Sequence, residues 1–262
     1  MSMRPCSVAG TFYPAEPRHL EQLLEKFFKT RAAGLDARGI VSPHAGYVYS
    51  GETSACAFSA IPPEFDGTFV LIGPSHRGYM TGTSAIPWAT PLGLVDTDTA
   101  FIEALEIDVD EASQQNEHSL EVQMPFIKYR FPRARIAPIM MGDQSYEGAV
   151  ALAGHIVQAT GRTGRDVRIV ASSDFSHYVP DATARKHDLY AIEALEALDI
   201  PEFYRRLAEV GASACGYGPI AAMCIASRTL GATKGQLLRY TTSGDVTGDY
   251  DQVVGYAAIA VI

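Results

Sequence analysis

Apolar residues recur along the chain in two alternating patterns. Short continuous apolar runs are typical of strands buried on both faces of a sheet, whereas apolar residues that return every three or four positions are typical of amphipathic helices. The continuous runs predict strands over residues 38–41, 68–72, 84–88, 92–95, 135–141, 167–171, 236–242 and 253–262. The helical spacing predicts helices over residues 17–30, 52–60, 98–106, 146–160, 182–198, 201–210 and 220–230, and another that begins near residue 116.

This alternation of strands and helices predicts an α/β fold. We expect a single domain over residues 1–262 with a doubly wound, mostly parallel sheet and helices on both faces, since no internal repeat or linker-like segment divides the chain. The last two strands are expected to form an antiparallel hairpin at the edge of the sheet, around the turn at residues 243–251. In such folds ligands bind outside the carboxyl ends of the strands.

Composition narrows the classes of function. A formal net charge of −9 argues against nonspecific binding to nucleic acid or to anionic membranes. No apolar run approaches the roughly 20 residues of a membrane helix and no signal sequence is evident, so a cytoplasmic protein is expected. The four cysteines lie far apart without a Cys-x-x-Cys pair, which argues against a disulfide framework and a zinc finger. A small molecule or a peptide is therefore the expected partner.

Three histidines follow predicted strands closely. His44 and His76 each come after a turn that contains proline, and His177 comes after the strand at residues 167–171 with Asp174 three positions before it. Because parallel strands end at the same edge of a sheet, all of them are predicted to lie on one rim.

Imidazole nitrogens and thiolates are strong ligands for iron, copper and zinc, and catalytic metal sites typically use three protein ligands. His44 and His76 can supply two of them. The residues alone leave the third ligand open among four candidates, namely Cys215, Asp174, His177 and Glu117.

Asp174 and His177 also suit a second role, because a carboxylate can orient an imidazole and make it a general acid or base near neutral pH. The alternative is that Ser173 or Asp174 caps the following turn while His177 faces solvent. Glu117 and His118 stand at a predicted helix start, where a capping role and a site role are equally consistent with the sequence. A serine hydrolase is disfavoured, because no Gly-x-Ser-x-Gly elbow follows a strand.

Taken together, the motifs resemble those of the MEMO family, in order and over nearly the whole chain. The motifs that carry the resemblance are PHAGY (43–47), GPSH (73–76), EHSLE (117–121), SSDFSH (172–177) and CG (215–216). The family is similar in fold to class III extradiol dioxygenases of the LigB type, which are non-haem Fe(II) enzymes that cleave catechol-like rings. The resemblance also implies a functional association with AMMECR1-like and radical SAM proteins.

The resemblance implies a role for each matching residue. His44, His76 and Cys215 would be the metal ligands. Asp174 and His177 would line the same pocket, with His177 as the acid or base. The implied substrate pocket consists of Glu117, His118, Tyr47 and Ser75.

One position departs from the dioxygenase pattern. Those enzymes hold iron with two histidines and a glutamate, whereas Cys215 takes the third place here, and a thiolate favours softer metals such as copper(I). The leading hypothesis is therefore a metal-binding protein with a dioxygenase-like pocket that holds Fe(II) or copper, with zinc as a further option, and that acts as an oxidoreductase. The alternatives are a noncatalytic module that binds a peptide or small molecule, and a zinc-dependent hydrolase.

Overall fold

The computed structural model describes residues 2–29 and 34–262. Its strands are β1 (Gly39–Ser42), β2 (Thr68–Pro74), β3 (Gly82–Thr83), β4 (Trp88–Thr90), β5 (Gly93–Val95), β6 (Arg135–Met141), β7 (Val167–Ser172), β8 (His177–Val179), β9 (Gly235–Thr242) and β10 (Val253–Val261). Its helices are α1 (Pro17–Phe28), α2 (Tyr47–Phe58), α3 (Thr99–Leu105), α4 (Glu111–Gln114), α5 (His118–Glu121), α6 (Met124–Arg130), α7 (Tyr146–Thr163), α8 (Asp181–Glu196), α9 (Ile200–Val210), α10 (Tyr217–Thr229) and α11 (Gly244–Thr247).

Eight of these strands form one mixed sheet in the order β3-β6-β2-β7-β1-β10-β8, with β9 also paired to β10. The four strands from β6 to β1 are parallel, and the flanking strands run antiparallel to them. β9 and β10 form the predicted antiparallel hairpin. The α/β class and the mostly parallel, doubly wound sheet are therefore confirmed, while β4 and β5 form a separate two-stranded ribbon.

Helices cover both faces of the sheet, because successive side chains of a strand point to opposite faces. In β2, Val70 and Ile72 belong to a hydrophobic cluster with residues of α3, α7, α8, α9 and α10. Phe69 and Leu71 belong to a second cluster with residues of α1, α2 and α6. All seven residues of β2 are buried, as the continuous apolar run predicted. No helix in the described part of the chain is both long and apolar enough to span a membrane.

Several predicted elements differ from the structure. The predicted strand at residues 84–88 is wrong over residues 84–87, because Ser84 and Ala85 donate to the Glu111 carboxylate at 2.6 and 2.7 Å and make no strand ladder, and β4 begins only at Trp88. The helix predicted to begin near residue 116 is divided into α5 and α6, and Pro125 lies in the first turn of α6.

Other predictions differ in the limits of an element or lack an element altogether. α2 begins at Tyr47, five residues before the predicted start. β8 was not predicted as a strand. The predicted end of the first helix at residue 30 lies outside the described residues.

The strand order places the candidate site. β7 lies between β1 and β2, and all three are parallel, so their carboxyl ends lie side by side. His44 follows β1, His76 follows β2 and Asp174 follows β7. The fold thus brings segments that are far apart in sequence to one edge of the sheet, as the predicted rim requires.

Candidate metal centre

Three imidazole rings meet at this edge. Ligand nitrogens of His44, His76 and His118 all lie within 4.8 Å of one another, so the three residues can hold a metal ion. The His76 and His118 rings stack with centroids 4.7 Å apart, and the His44 ring meets them edge-on at 5.3 and 5.4 Å. His118, which the resemblance implied as a pocket residue, is therefore a member of the histidine cluster itself.

A hydrogen bond fixes the tautomer of His44. Nδ1 of this ring lies 2.9 Å from Oγ of Ser172, and that hydroxyl donates its single proton to the Ser119 carbonyl at 2.6 Å. Nδ1 must therefore carry a hydrogen, which leaves the lone pair of Nε2 free. Burial, together with the neighbouring His118 and His76 rings, holds the pKa of His44 well below its usual value. The ring is neutral, which is the form that binds metals.

The Glu117 carboxylate orients the His76 ring. One carboxylate oxygen lies 2.9 Å from Nδ1 of His76, and the other accepts the backbone N–H of the same residue at 2.9 Å. Burial alone raises the pKa of Glu117, but hydrogen bonds from the His76 ring and from the Ser119 and His76 amides lower it to about 2. An ionised carboxylate on Nδ1 leaves Nε2 free and strengthens it as a metal ligand. Glu117 also lies 3.5 Å from Nδ1 of His118.

The thiol of Cys215 faces the free nitrogen of His44. Its sulfur lies 3.2 Å from Nε2 of that ring, a separation possible for two ligands that each lie about 2.0–2.3 Å from one ion. The sulfur also accepts the backbone N–H of Asp174 at 3.3 Å. Burial, and then the charge of Asp174, raise the pKa of Cys215 far above its usual value, so the free thiol keeps its proton.

The carboxyl group of Asp174 lies beneath His44. One oxygen accepts the backbone N–H of His44 at 2.9 Å, and the other lies 4.0 Å from Nε2 of the same residue. Burial raises the pKa of Asp174 to about 7, against the effect of hydrogen bonds from the His44 and Ala45 amides. A buried carboxyl with a near-neutral pKa can take up or release a proton at physiological pH.

His177 lies beside the cluster. Its backbone N–H donates to Oγ of Ser213 at 2.9 Å, and its Nδ1 lies 2.9 Å from the Ser213 carbonyl oxygen. The sequence predicted that Asp174 orients this ring, whereas in the structure Ser213 does so. His177 is nevertheless close enough to His44 to contribute, as the smallest of the named causes, to the lowered pKa of that ring.

Tyr47 and Ser75, the other implied pocket residues, both bind to backbone groups. The Tyr47 hydroxyl donates to the Val122 carbonyl at 2.7 Å, and its ring borders an apolar cavity of about 590 Å³. Oγ of Ser75 accepts the backbone N–H of Tyr79 at 2.8 Å and so holds the loop that carries His76.

The N-terminal segment forms one wall of the centre. The Phe12 ring packs against His118 with centroids 4.9 Å apart. Glu121 holds this segment through a buried ion pair with Arg4, whose Nη1 lies 2.6 Å from the carboxylate. The same carboxylate accepts further hydrogen bonds from Ser7 N, Ser7 Oγ, Val8 N and Tyr13 Oη.

Phe12 and Ser213 were not predicted as site residues. Ser213 lies two positions before Cys215, so its proximity to the candidate ligand was the only signal in the sequence. Phe12 is far from every other site residue in sequence, and only the packing of the N-terminal segment brings it to His118.

Known proteins match this chain over nearly its full length. A family model described as Memo-like protein matches residues 4–260. A MEMO1 family protein of Methanosarcina barkeri is 46% identical over 270 residues, which cover 99% of this chain and 100% of the relative. MEMO1 family proteins of Archaeoglobus fulgidus and Nitrosopumilus maritimus are 43% and 40% identical, over 98% and 97% of this chain and 98% of each relative.

Proposed function

Because this chain belongs to the Memo-like protein family, we propose that it is a redox-metal protein with a dioxygenase-like pocket, and that its metal is Fe(II) or copper. His44, His76 and Cys215 would hold the ion. The observation that carries the proposal is the cluster of three rings with ligand nitrogens within 4.8 Å, which a cysteine sulfur approaches to 3.2 Å.

The donor set fits such an ion. Nδ1 of both His44 and His76 is engaged by an outer partner, so each ring can direct Nε2 at a metal. Two imidazoles and a thiolate suit copper or Fe(II) far better than they suit magnesium or calcium. Because the pKa of Cys215 is raised, metal binding would release the thiol proton. The bound ion would supply redox chemistry with O₂ as the oxidant.

Cys215 is preferred to His118 as the third ligand for two reasons. Its sulfur directly faces the free Nε2 of His44, and as a thiolate it would bring a negative charge that an imidazole cannot supply. The His118 ring instead lies flat against His76 and packs on Phe12, which suits a side chain that flanks the ion.

The remaining residues would handle protons and the substrate. His177 would act as acid or base through Nε2, because Nδ1 is bound to the Ser213 carbonyl. Asp174, whose pKa is about 7, would hold a proton beside the metal ligands. The substrate class that the resemblance suggests is a small catechol-like ring, and the phenolic hydroxyl is the group from which His177 would take a proton.

A direct test combines metal analysis with oxygen consumption. After anaerobic purification, we expect iron or copper to bind in a stoichiometric amount and catechols to be consumed only when O₂ and that metal are both present. The measurements are elemental analysis and oxygen-electrode traces for the metal-free, Fe(II)-loaded, copper-loaded and zinc-loaded protein.

Two other outcomes would replace the proposal. Oxygen-independent hydrolysis of esters or amides that zinc restores would identify a zinc-dependent hydrolase. Binding of small molecules or peptides without turnover under any metal load would identify a noncatalytic binding module, for which the apolar cavity of about 590 Å³ beside Tyr47 would be the first candidate site.

Glu117, whose carboxylate binds Nδ1 of His76, provides a second test. Replacing Glu117 by glutamine keeps the shape of the side chain but removes the negative charge that faces Nδ1 of His76, so we expect metal affinity to fall by about 10–100-fold. Competition with a chelating dye measures this change. The matched control is Glu111→Gln, because Glu111 also binds backbone and hydroxyl groups but contacts none of the three clustered histidines. Equal affinities for both variants would contradict the role of Glu117.

A further inference from the structure

Asp188 on α8 is a buried carboxylate that the proposed function does not use. Its oxygens accept the Ser176 hydroxyl at 2.6 Å, the Ser176 backbone N–H at 3.2 Å and the Tyr240 hydroxyl at 2.5 Å. Among residues 2–29 and 34–262, no cation forms an ion pair with it. A buried carboxylate without a cation is costly: burial raises the pKa of Asp188, and the hydrogen bonds from Ser176 and Tyr240 oppose that rise.

Through these hydrogen bonds, Asp188 holds the turn that carries His177. Ser176 directly precedes His177, and this turn is also bonded to β10, where Gly255 accepts the Phe175 N–H at 2.8 Å and donates to the Ser176 carbonyl at 2.9 Å. A Cβ atom at Gly255 would lie 2.3 Å from Oδ2 of Asp188. The close approach of β10 to this carboxylate therefore requires glycine.

The backbone just beyond the turn is strained. Tyr178 has φ of 57°, in the left-handed region that side chains other than glycine rarely adopt. Such a conformation persists only where the surrounding structure determines it. Asp188 fixes the chain on the N-terminal side of His177, and Ser213 holds the ring itself.

The ring is held as one tautomer. A carbonyl oxygen can only accept, so the contact between Nδ1 of His177 and Ser213 requires the proton on Nδ1 and leaves the lone pair on Nε2. That contact depends on where the backbone of His177 lies, because the N–H of the same residue also binds Ser213.

We propose that Asp188 is the positioning residue of His177: by anchoring Ser176, it keeps the imidazole on Ser213 with Nε2 free for proton transfer. The inference deepens the proposed function and rests on it, because proton exchange between His177 and a substrate is part of that function. Tyr240 supports Asp188 through its hydroxyl.

The test follows the His177 ring directly. The full-length, metal-free chain is labelled with ¹⁵N-histidine, and the ring resonances of His177 are assigned from their loss in His177→Gln. In the native protein we expect one protonated and one unprotonated nitrogen. In Asp188→Asn we expect the two resonances to move toward each other, because the ring then exchanges between tautomers. The matched control is Asp181→Asn, which removes a carboxylate on the same helix that binds Arg185 and Thr242.

The outcomes are separable. If Asp188→Asn lowers the melting temperature but leaves the His177 resonances as in the native protein, Asp188 is merely structural and the inference is wrong. If Asp188→Asn does not fold, the same measurement is made on Tyr240→Phe. We then expect a smaller movement of the two His177 resonances toward each other, and unchanged resonances would overturn the inference. Because the protein is metal-free, failure of the proposed function would appear separately, as a native chain that binds neither iron nor copper.

Discussion

Replacing His44 by alanine should lower the affinity for Fe(II) or copper by more than about 100-fold, beyond the roughly 10–100-fold typical of changes to outer partners. The His44 ring contacts three other candidate metal-binding residues: its centroid lies within 5.4 Å of those of His76 and His118, and its Nε2 lies 3.2 Å from the Cys215 sulfur. Elemental analysis and chelator competition measure the loss.

A matched control for this variant is His155→Ala. His155 lies on α7, outside the histidine cluster, so its removal should leave metal content unchanged. Retention of iron and copper by His44→Ala, at the level of this control, would overturn the metal centre as a whole.

The same assay identifies the third ligand. We expect Cys215→Ser to lower the metal affinity nearly as much as His44→Ala does. His118→Ala should lower the metal affinity by less than about tenfold, as expected for a residue that flanks the ion. The reverse order would show that the metal is held by three imidazoles and that the cysteine is an outer residue.

The second large effect concerns stability. Arg4→Ala should lower the free energy of unfolding at neutral pH by about 3–5 kcal/mol, because it leaves the buried Glu121 carboxylate without its cation. Urea denaturation measures the change. The control is Arg162→Ala, which removes one partner of the exposed ion pair with Glu106 and should leave stability near that of the native protein. Equal effects of the two substitutions would contradict the importance of the buried pair.

The pH dependence of this effect has a definite sign. Burial raises the pKa of Glu121, but Arg4 and the donors of Ser7 and Val8 outweigh it, so the folded-state pKa lies below the usual value. The stabilisation is therefore complete above the unfolded-state pKa of about 4.3 and is lost as pH falls through the folded-state value. The difference in stability between the native protein and Glu121→Gln should accordingly be constant near neutral pH and shrink in acid.

The sequence predicted the parts of the centre that depend on strand order alone. His44 and His76 come directly after apolar runs, and parallel strands place such residues at one edge whatever the details of packing. The mostly parallel sheet and the two helical layers follow from the same alternation of apolar patterns.

The contacts between side chains depended on packing that periodicity does not encode. His118 enters the cluster because α5 is a single short helix whose first turn abuts the end of β2, where Gly73 leaves room for Ser119. His177 binds Ser213 because the loop before α10 brings that residue along with Cys215. Each of these contacts joins segments more than 30 residues apart. His177 and Ser213 are separated by 36 residues, and His44 and Cys215 by 171 residues.

The position of β1 in the sheet has a consequence for synthesis on the ribosome. Gly39 pairs with Ile169 on one side and with Val261 on the other, so β1 emerges long before either neighbouring strand has been made. An apolar strand with two unpaired edges is prone to aggregation until its partner strands have been translated. Nascent chains stopped before β10 should therefore be insoluble or bound to chaperones, and His44, which follows β1, meets Cys215 only after most of the chain has been translated.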